Sequence, residues 1–483
     1  EAPNWKQRHA ALMAISQTGE GCEAQMAKML EQIVSTIVTK FGDVHPRVRW
    51  AAINTIGQMS TDFGPALQTK LHSSVLPALV GSMDDGCKRV QAHAAAAVIN
   101  FCEHCERGTL APYLQPLLGK LMLLLRGSTR RVQEQAVTAV ASVADVAEED
   151  FIPFYDHFMP GLKELLKLGP AKELRMLRGK AMECISLIGV AVGKERFSGD
   201  AKEVMDLLIS TQSAQLDPDD PQVNFMLQAC ARICKCLGEH FKPYLPLVIP
   251  PLLASAQIDP ELHVTDADED GGGEEEEGME SVTVAIRGQG NKRITIRTSA
   301  LEEKATACSM LHSYASDLRE GFFPYVNDVT RILVPLVRFQ YMDDVRTAAM
   351  VAIPELVSSS ILAVEAGVPN ATAEFVTQIV HFIFEPVVTQ LETEPDVDTL
   401  ACMLESFSEL LLHGKECVQA RITAAQIQKC AAVLQLLIKE SLDRRGERET
   451  RREEDDPDEE EEEQLLGEVE REECLVQNLV ECI

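Results

Sequence analysis

Acids and amides recur along this chain at matched positions. Glu20, Glu103 and Asp145 stand thirteen residues past an apolar anchor position, and Asp62 stands fourteen past its own. Gln58 and Asn100 fall ten past theirs. The set holds no nucleophile and no base poised against one, so it predicts recognition of cations rather than bond cleavage. Carboxylates attract ammonium groups, and amides offer hydrogen bonds beside them. Set one helix pair apart, at roughly 10 Å, these rungs would meet about every third residue of an extended basic peptide, which rises about 3.3 Å per residue. Trp50 and Trp5, the only tryptophans, would add ring faces for cation–π contact.

Other groupings are less suited to chemistry. Cys102-x-x-Cys105 encloses His104, and Cys230, Cys234 and Cys236 cluster, but tetrahedral zinc needs four converging ligands and no second pair lies nearby. They read as helical thiols, and no metal is expected. Gly288-Gln289-Gly290 lacks the strand-to-helix setting of a dinucleotide loop and reads as a turn. Asn370-Ala371-Thr372 matches a glycosylation acceptor in form only. With no Ser/His/Asp or paired-carboxylate constellation, neither catalytic residues nor a cofactor are expected.

An internal repeat positions the acids. Val48, Val90, Val132 and Leu174 are spaced by 42 residues each, Gln7 fits 41 earlier, and Val223, Leu301, Val345 and Val397 follow at 49, 78, 44 and 52. Each unit reads as two helices, the second starting at the anchor. Val48, Ala52, Ile56 and Met59 line one helical face, with Asp43 and Pro46 ahead as cap and first-turn residue. First helices are expected near 65–80, 110–125, 153–168 and 243–254. A paired-helix unit of about 40–47 residues is the HEAT signature. The predicted fold is therefore all-α: a HEAT-repeat superhelical solenoid of about ten units, second helices lining its concave side, with an acidic insertion and a small β-hairpin.

The expected divisions are HEAT repeats over 1–258, the first lacking its first helix, and an acidic loop with β-hairpin over 259–298. More HEAT repeats cover 299–445, an acidic disordered insertion 446–463, and a final unpaired helix 464–483. The hairpin is read from alternating runs at Val282–Arg287 and Lys292–Arg297 around Gly288–Asn291. Both acidic runs fall between the two helices of a unit.

Composition narrows the partners. With 45 basic and 75 acidic residues the net charge is −30, which argues against direct nucleic-acid binding and anionic membranes. Apolar residues make up 46% and aromatics 5%, which suits helices packed through alanine and leucine better than sheets. Fourteen scattered cysteines read as small buried hydrophobes of a reducing compartment. No apolar run approaches the roughly 18 residues of a membrane span. A chain opening directly on a helix reads as a fragment.

Trp5-Lys6-Gln7-Arg8-His9-Ala10-Ala11-Leu12-Met13-Ala14-Ile15 with Gly19-Glu20-Gly21-Cys22 resembles the karyopherin-β (importin-β) family. So do His45–Arg49, Gly57–Phe63, Arg89–Ala97, Glu183–Gly189, Ala191–Glu195 and Leu301–Lys304. The likeness is dense to about 255 and again over 299–350, then thins. The resemblance implies a middle portion of a nuclear transport receptor that shuttles between cytoplasm and nucleus. It implies cargo with Lys-rich localisation signals, such as ribosomal proteins and histones, passage along phenylalanine-glycine nucleoporins, and release by the GTPase Ran in its GTP form. The main Ran surface would lie in repeats outside this chain. Inner second helices would supply acids and amides to cargo lysines, at positions matching Glu20, Asp62, Asn100, Glu103 and Asp145. The alternatives are a HEAT scaffold for a multiprotein complex, or an acidic chaperone for histones and ribosomal proteins.

Overall fold

The computed structural model describes residues 3–169, 171–212, 220–259, 263–266, 279–286, 290–412, 421–454 and 459–482. The chain divides into two compact units, Glu1–Leu237 and Gly238–Ile483.

Unit 1 is built from helices α1 (Trp5–Thr18), α2 (Glu23–Ala27), α3 (Leu30–Val38), α4 (Pro46–Asp62), α5 (Ala66–Ser82), α6 (Lys88–Glu103), α7 (Arg107–Leu110), α8 (Leu114–Gly127), α9 (Arg130–Ala147), α10 (Tyr155–Leu166), α11 (Arg175–Gln212) and α12 (Gln222–Leu237). The second helices form one layer, running α1, α4, α6, α9, the start of α11 and α12, each packed on the next. The first helices α3, α5 and α8 stack likewise in a second layer, and α10 packs on α11. α11 changes direction at Gly193, whose φ of 76° is a conformation only glycine adopts without strain. The bend makes one continuous stretch serve as the second helix of one repeat and the first of the next.

The repeat phase is visible in α4. Pro46 starts it, the His45 side chain accepts from the Arg47 N–H, and Val48, Ala52, Ile56 and Met59 are fully buried. Asp43, expected as the cap, does something else. Its carboxylate takes a bidentate ion pair from Arg8 of the preceding repeat, at 2.7 and 2.9 Å, and the His45 N–H. One repeat on, Arg49 grips Asp85 at 2.6 and 2.8 Å while Asp85 accepts from the Cys87 N–H. Arg175 pairs with Asp220 at 3.2 Å, and in unit 2 Arg346 clasps Glu394 at 2.8 Å through both nitrogens. These staples join consecutive repeats through forked, charge-assisted bonds. Arg8 holds the Asp43 carboxyl below the usual range. Burial works against the Asp85 charge, but Arg49 and the Cys87 N–H outweigh it and hold that carboxyl low too.

Unit 2 contains α13 (Leu245–Ala256), strands β1 (His263–Asp266), β2 (Met279–Ile286) and β3 (Gly290–Arg297), then α14 (Thr298–Leu318), α15 (Phe323–Leu336), α16 (Asp343–Glu365), α17 (Ala373–Thr393), α18 (Val397–Leu412), α19 (Ala424–Glu454) and α20 (Glu459–Glu481). α14, α16, α18 and α20 form one layer, and α13, α15, α17 and α19 the other. Lys304 fastens α14 to the end of α13, its Nζ donating to the Ala256 carbonyl at 2.5 Å, and Ser255 donates to Glu303 at 2.6 Å.

Several expectations need correction. The sheet has three antiparallel strands in the order β1-β3-β2, not two, with Ile286 opposite Gly290 and β1 on the far side of β3. Of the first acidic run, 267–278 lies outside the described residues. The segment 446–463 is helical at 446–454 and 459–463, with 455–458 outside the described residues. Its glutamates and arginines are good helix formers, and Arg444 and Arg448 pair with Glu472 and Arg451 with Glu468 across the two helices. Nor is the last helix unpaired: α20 packs on α18 and α19, and Asn478 donates to the Ala401 carbonyl at 2.8 Å. Finally, α16 is long and apolar enough to cross a membrane by length and composition. Val345, Ala349, Ile353 and Leu356 are all buried, so its apolarity serves the core.

Candidate cation-binding face

The acids predicted from repeat phase sit where second helices end. Asp62 is the last residue of α4, Glu103 the last of α6, and Asp145 lies in the last turn of α9. None of α1, α4, α6 or α9 carries a basic residue in its last turn. A helix C-terminus already bears partial negative charge and normally favours Lys or Arg, each worth about 0.3–1 kcal/mol. Three successive helices ending on acids therefore concentrate negative charge at the expense of local stability. A bound cation would relieve that.

The structure ties part of the set together. Gln58 Nε2 donates to Asp62 Oδ1 at 2.8 Å, and Thr61 Oγ1 donates across to Glu103 Oε2 at 3.3 Å. Asn100 Nδ2 donates to the Gly57 carbonyl at 3.3 Å, which fixes α6 against α4. Asp62 Oδ2 is buried without a hydrogen-bond partner. A buried carboxylate oxygen left unpaired is costly. Glu103 and Asp145 are exposed, and Glu20 opens the 3-10 turn Glu20–Cys22 that follows α1.

Trp50 is not the open ring expected. His9 of α1 lies near-parallel to it with centroids 6.3 Å apart, and the His93 ring of α6 lies 4.7 Å from it, tilted by 30°. Trp5 is likewise stacked on His45 at 3.9 Å, with the Arg47 guanidinium 5.6 Å from its centroid. An incoming ammonium would have to displace these neighbours. Both rings thus already have partners within the chain.

A polar chain beside the rungs escaped sequence reasoning. His93 Nε2 meets Asn54 Oδ1 at 3.0 Å, and Asn54 Nδ2 donates to Ser16 Oγ at 3.3 Å, linking α6, α4 and α1. Burial, reinforced by Arg131, pushes the His93 ring down to about 4, so it is neutral at pH 7 and donates from Nε2. The signal that could have found this cluster is the repeat phase itself, since His9 lies 41 residues before Trp50 and His93 lies 43 after it.

The cysteine groups are packing residues. Cys102, Cys230 and Cys234 are buried, and burial pushes Cys105 and Cys236 up to about 11. That direction is opposite to a reactive or metal-ready thiolate.

Known proteins share this architecture. Residues 5–59 match a HEAT-like repeat model, 84–268 the model for importin subunit beta-1-like TPR repeats, and 399–483 the model for importin repeat 6. Importin subunit beta-3 of Saccharomyces cerevisiae is 36% identical over 92% of this chain and 40% of its own length. A crystal structure of the karyopherin Kap121p bound to the SUMO protease Ulp1p superposes with a TM-score of 0.82 at 31% identity, over 100% of this chain and 42% of the other. Kap121p bound to Nup53p gives 0.80 at 32% identity, over 100% and 44%. The chain thus spans less than half the length of these relatives.

Proposed function

This chain belongs to the importin-β family, and we propose that it forms the cargo-gripping portion of a nuclear transport receptor. Its second-helix ends hold basic, Lys-rich signals of proteins such as histones and ribosomal proteins. The observation that carries this reading is the run of acids at the C-terminal ends of α4, α6 and α9 with no basic residue in those last turns. Lysines there would add stability, and acids stand in their place.

Cargo-binding roles go to Glu20, Asp62, Glu103 and Asp145 as carboxylates, with Gln58 and Asn100 as amides beside them. Gln58 donates to Asp62 Oδ1 and so fixes the carboxylate at the end of α4, where a lysine ammonium would meet it. Single exposed ion pairs contribute only about 0–1 kcal/mol, so affinity must come from several rungs engaged by one peptide. Micromolar binding, about −8 kcal/mol, is within reach of such a set.

Nucleoporin contact, release by Ran in its GTP form and shuttling between cytoplasm and nucleus belong to the same proposal. They are supported by membership of a family of transport receptors and by the relative solved with Nup53p. The test is titration of a fluorescent Lys-rich peptide against the chain across a salt series. The expected outcome is affinity that falls steadily as salt rises. Binding that ignores salt would contradict an electrostatic grip.

A further inference from the structure

We propose that unit 1 contains one compliant seam, between α6 and α9, pinned on its first-helix side and free to slide and turn on the side that carries the acids. The observation is a break in the pattern of ties. From α1 to α4 run Arg8–Asp43, Asn54–Ser16 and the Thr55 hydroxyl to the Leu12 carbonyl. From the α4 repeat to α6 run Arg49–Asp85, His93–Asn54, Asn100–Gly57 and Thr61–Glu103. From α9 to α11, Lys180 Nζ donates to Thr138 Oγ1 at 2.7 Å. Arg107 of α7, which opens the α8–α9 repeat, also ties onward, gripping Asp150 beyond α9 at 2.9 and 2.8 Å. Among the described residues, no side-chain hydrogen bond or ion pair crosses from α6 to α9.

The reason is legible in two positions. Arg49 and Asp85 form their staple from one past and five before successive anchors. At the next joint those places hold Gln91 and Gly127, and at the one after Gln133 and Gly169, where the Lys180–Thr138 bond supplies the cross-tie that α6–α9 lacks. Gln91 keeps only the local half of the arginine's work, donating to the Asp85 carbonyl at 2.7 Å as Arg49 does to the Asp43 carbonyl at 2.8 Å. What remains at the seam is apolar, with Ala94, Val98, Phe101, Ala136, Val137 and Val140 all fully buried. Apolar burial is strong but non-directional, so it resists separation more than it resists rotation or sliding. The first-helix side differs. His72 Nδ1 meets Tyr113 Oη at 3.0 Å, and Lys120 Nζ reaches Asp84 at 2.5 Å. These two ties fix an edge about which α9 can swing relative to α6.

Arg47, Arg89 and Arg131 are exposed and hold one phase, immediately before successive anchors. Spin labels attached there through genetically encoded azide residues report the stapled joint (47/89) and the proposed seam (89/131) by pulsed electron–electron distance measurement. The 89/131 distribution is expected to be the wider. Gln91→Arg with Gly127→Asp rebuilds the staple, since a side chain on Gly127 would enter open space, and is expected to narrow 89/131 toward the width of 47/89. Arg49→Gln with Asp85→Asn is expected to widen 47/89. An 89/131 distribution no wider than 47/89 in the unmodified chain overturns the proposal, as does a 47/89 width unchanged when its staple is removed.

Discussion

Gly19 makes room for Asp62: a Cβ at position 19 would collide with Asp62 Oδ2, across the joint between α1 and α4. Gly19 has ordinary helical backbone angles (φ −56°, ψ −52°), so the glycine is there for space and not for a special turn. The carboxylate with the unpaired oxygen is thus held by a missing side chain one repeat earlier.

Gly19→Ala is therefore expected to displace the Asp62 carboxylate while leaving the fold intact. The backbone angles at Gly19 suit alanine without strain, so the cost in thermal stability should be small and confined to moving that carboxylate. Affinity for a Lys-rich peptide should fall severalfold. Paired calorimetric melting and peptide titration check the split. Equal peptide affinity would show that the position of Asp62 does not matter.

Ala52, Ala94 and Ala136 are fully buried at equal phase in α4, α6 and α9. Ala94→Leu should overpack the stack by about 1–3 kcal/mol. Because repeats couple mainly to their neighbours, faster hydrogen exchange should concentrate in α4, α6 and α9. Equal acceleration throughout α1 to α12 would contradict nearest-neighbour coupling.

The Arg49–Asp85 staple carries a pH signature. The folded-state pKa of Asp85 is lowered, so its stabilisation is present above the ordinary carboxyl value of about 4 and is lost as pH falls through the lowered one. Asp85→Asn should cost about 1–3 kcal/mol at pH 7 and less as pH drops below the range where the wild-type carboxylate stays charged. Denaturant melts at stepped pH read both limbs. A cost unchanged down to the acid limb would mean the charge is not what stabilises.

Trp50 with His9 and His93 packs three helices together. Trp50→Leu should lower stability by about 1–3 kcal/mol, within the usual range for truncating a packed side chain, and alter peptide affinity little when measured well below melting. A large affinity loss at unchanged stability would give the ring a cation–π role after all.

The array was legible because its signal is local and repeated. Val48, Val90 and Val132 recur at 42 residues, and all three are buried. The acids were legible for the same reason, since equal phase put Asp62, Glu103 and Asp145 at equivalent helix ends. The staples were not, because Arg8 and Asp43 are 35 residues apart and Arg346 and Glu394 are 48 apart. Asp43 alone looks like a cap. The second acidic run misleads for a different reason. Charge density argues for disorder, but the arginines at 444, 448 and 451 meet glutamates of α20, and those partners become neighbours only after the helices pair. The ring contacts of Trp50 were not legible either, because His9 and His93 lie a repeat away on each side in sequence and meet it only once the helices stack.

Acids at successive helix ends, acting together on one basic peptide, are what the proposed receptor function depends on. The affinity of a fluorescent Lys-rich localisation peptide for wild type and for the triple variant Asp62→Asn, Glu103→Gln, Asp145→Asn tests this most sharply. The titration belongs at about 150 mM salt, where screening beyond about 8 Å leaves only close pairs, with circular dichroism confirming an unchanged helix content. Loss of three rungs should weaken binding by tenfold or more, about 1.4 kcal/mol or above, and the neutralised helix ends should leave the variant no less stable. A triple variant that binds as tightly as wild type would contradict the cooperative grip, leaving the acids as solvated helix ends.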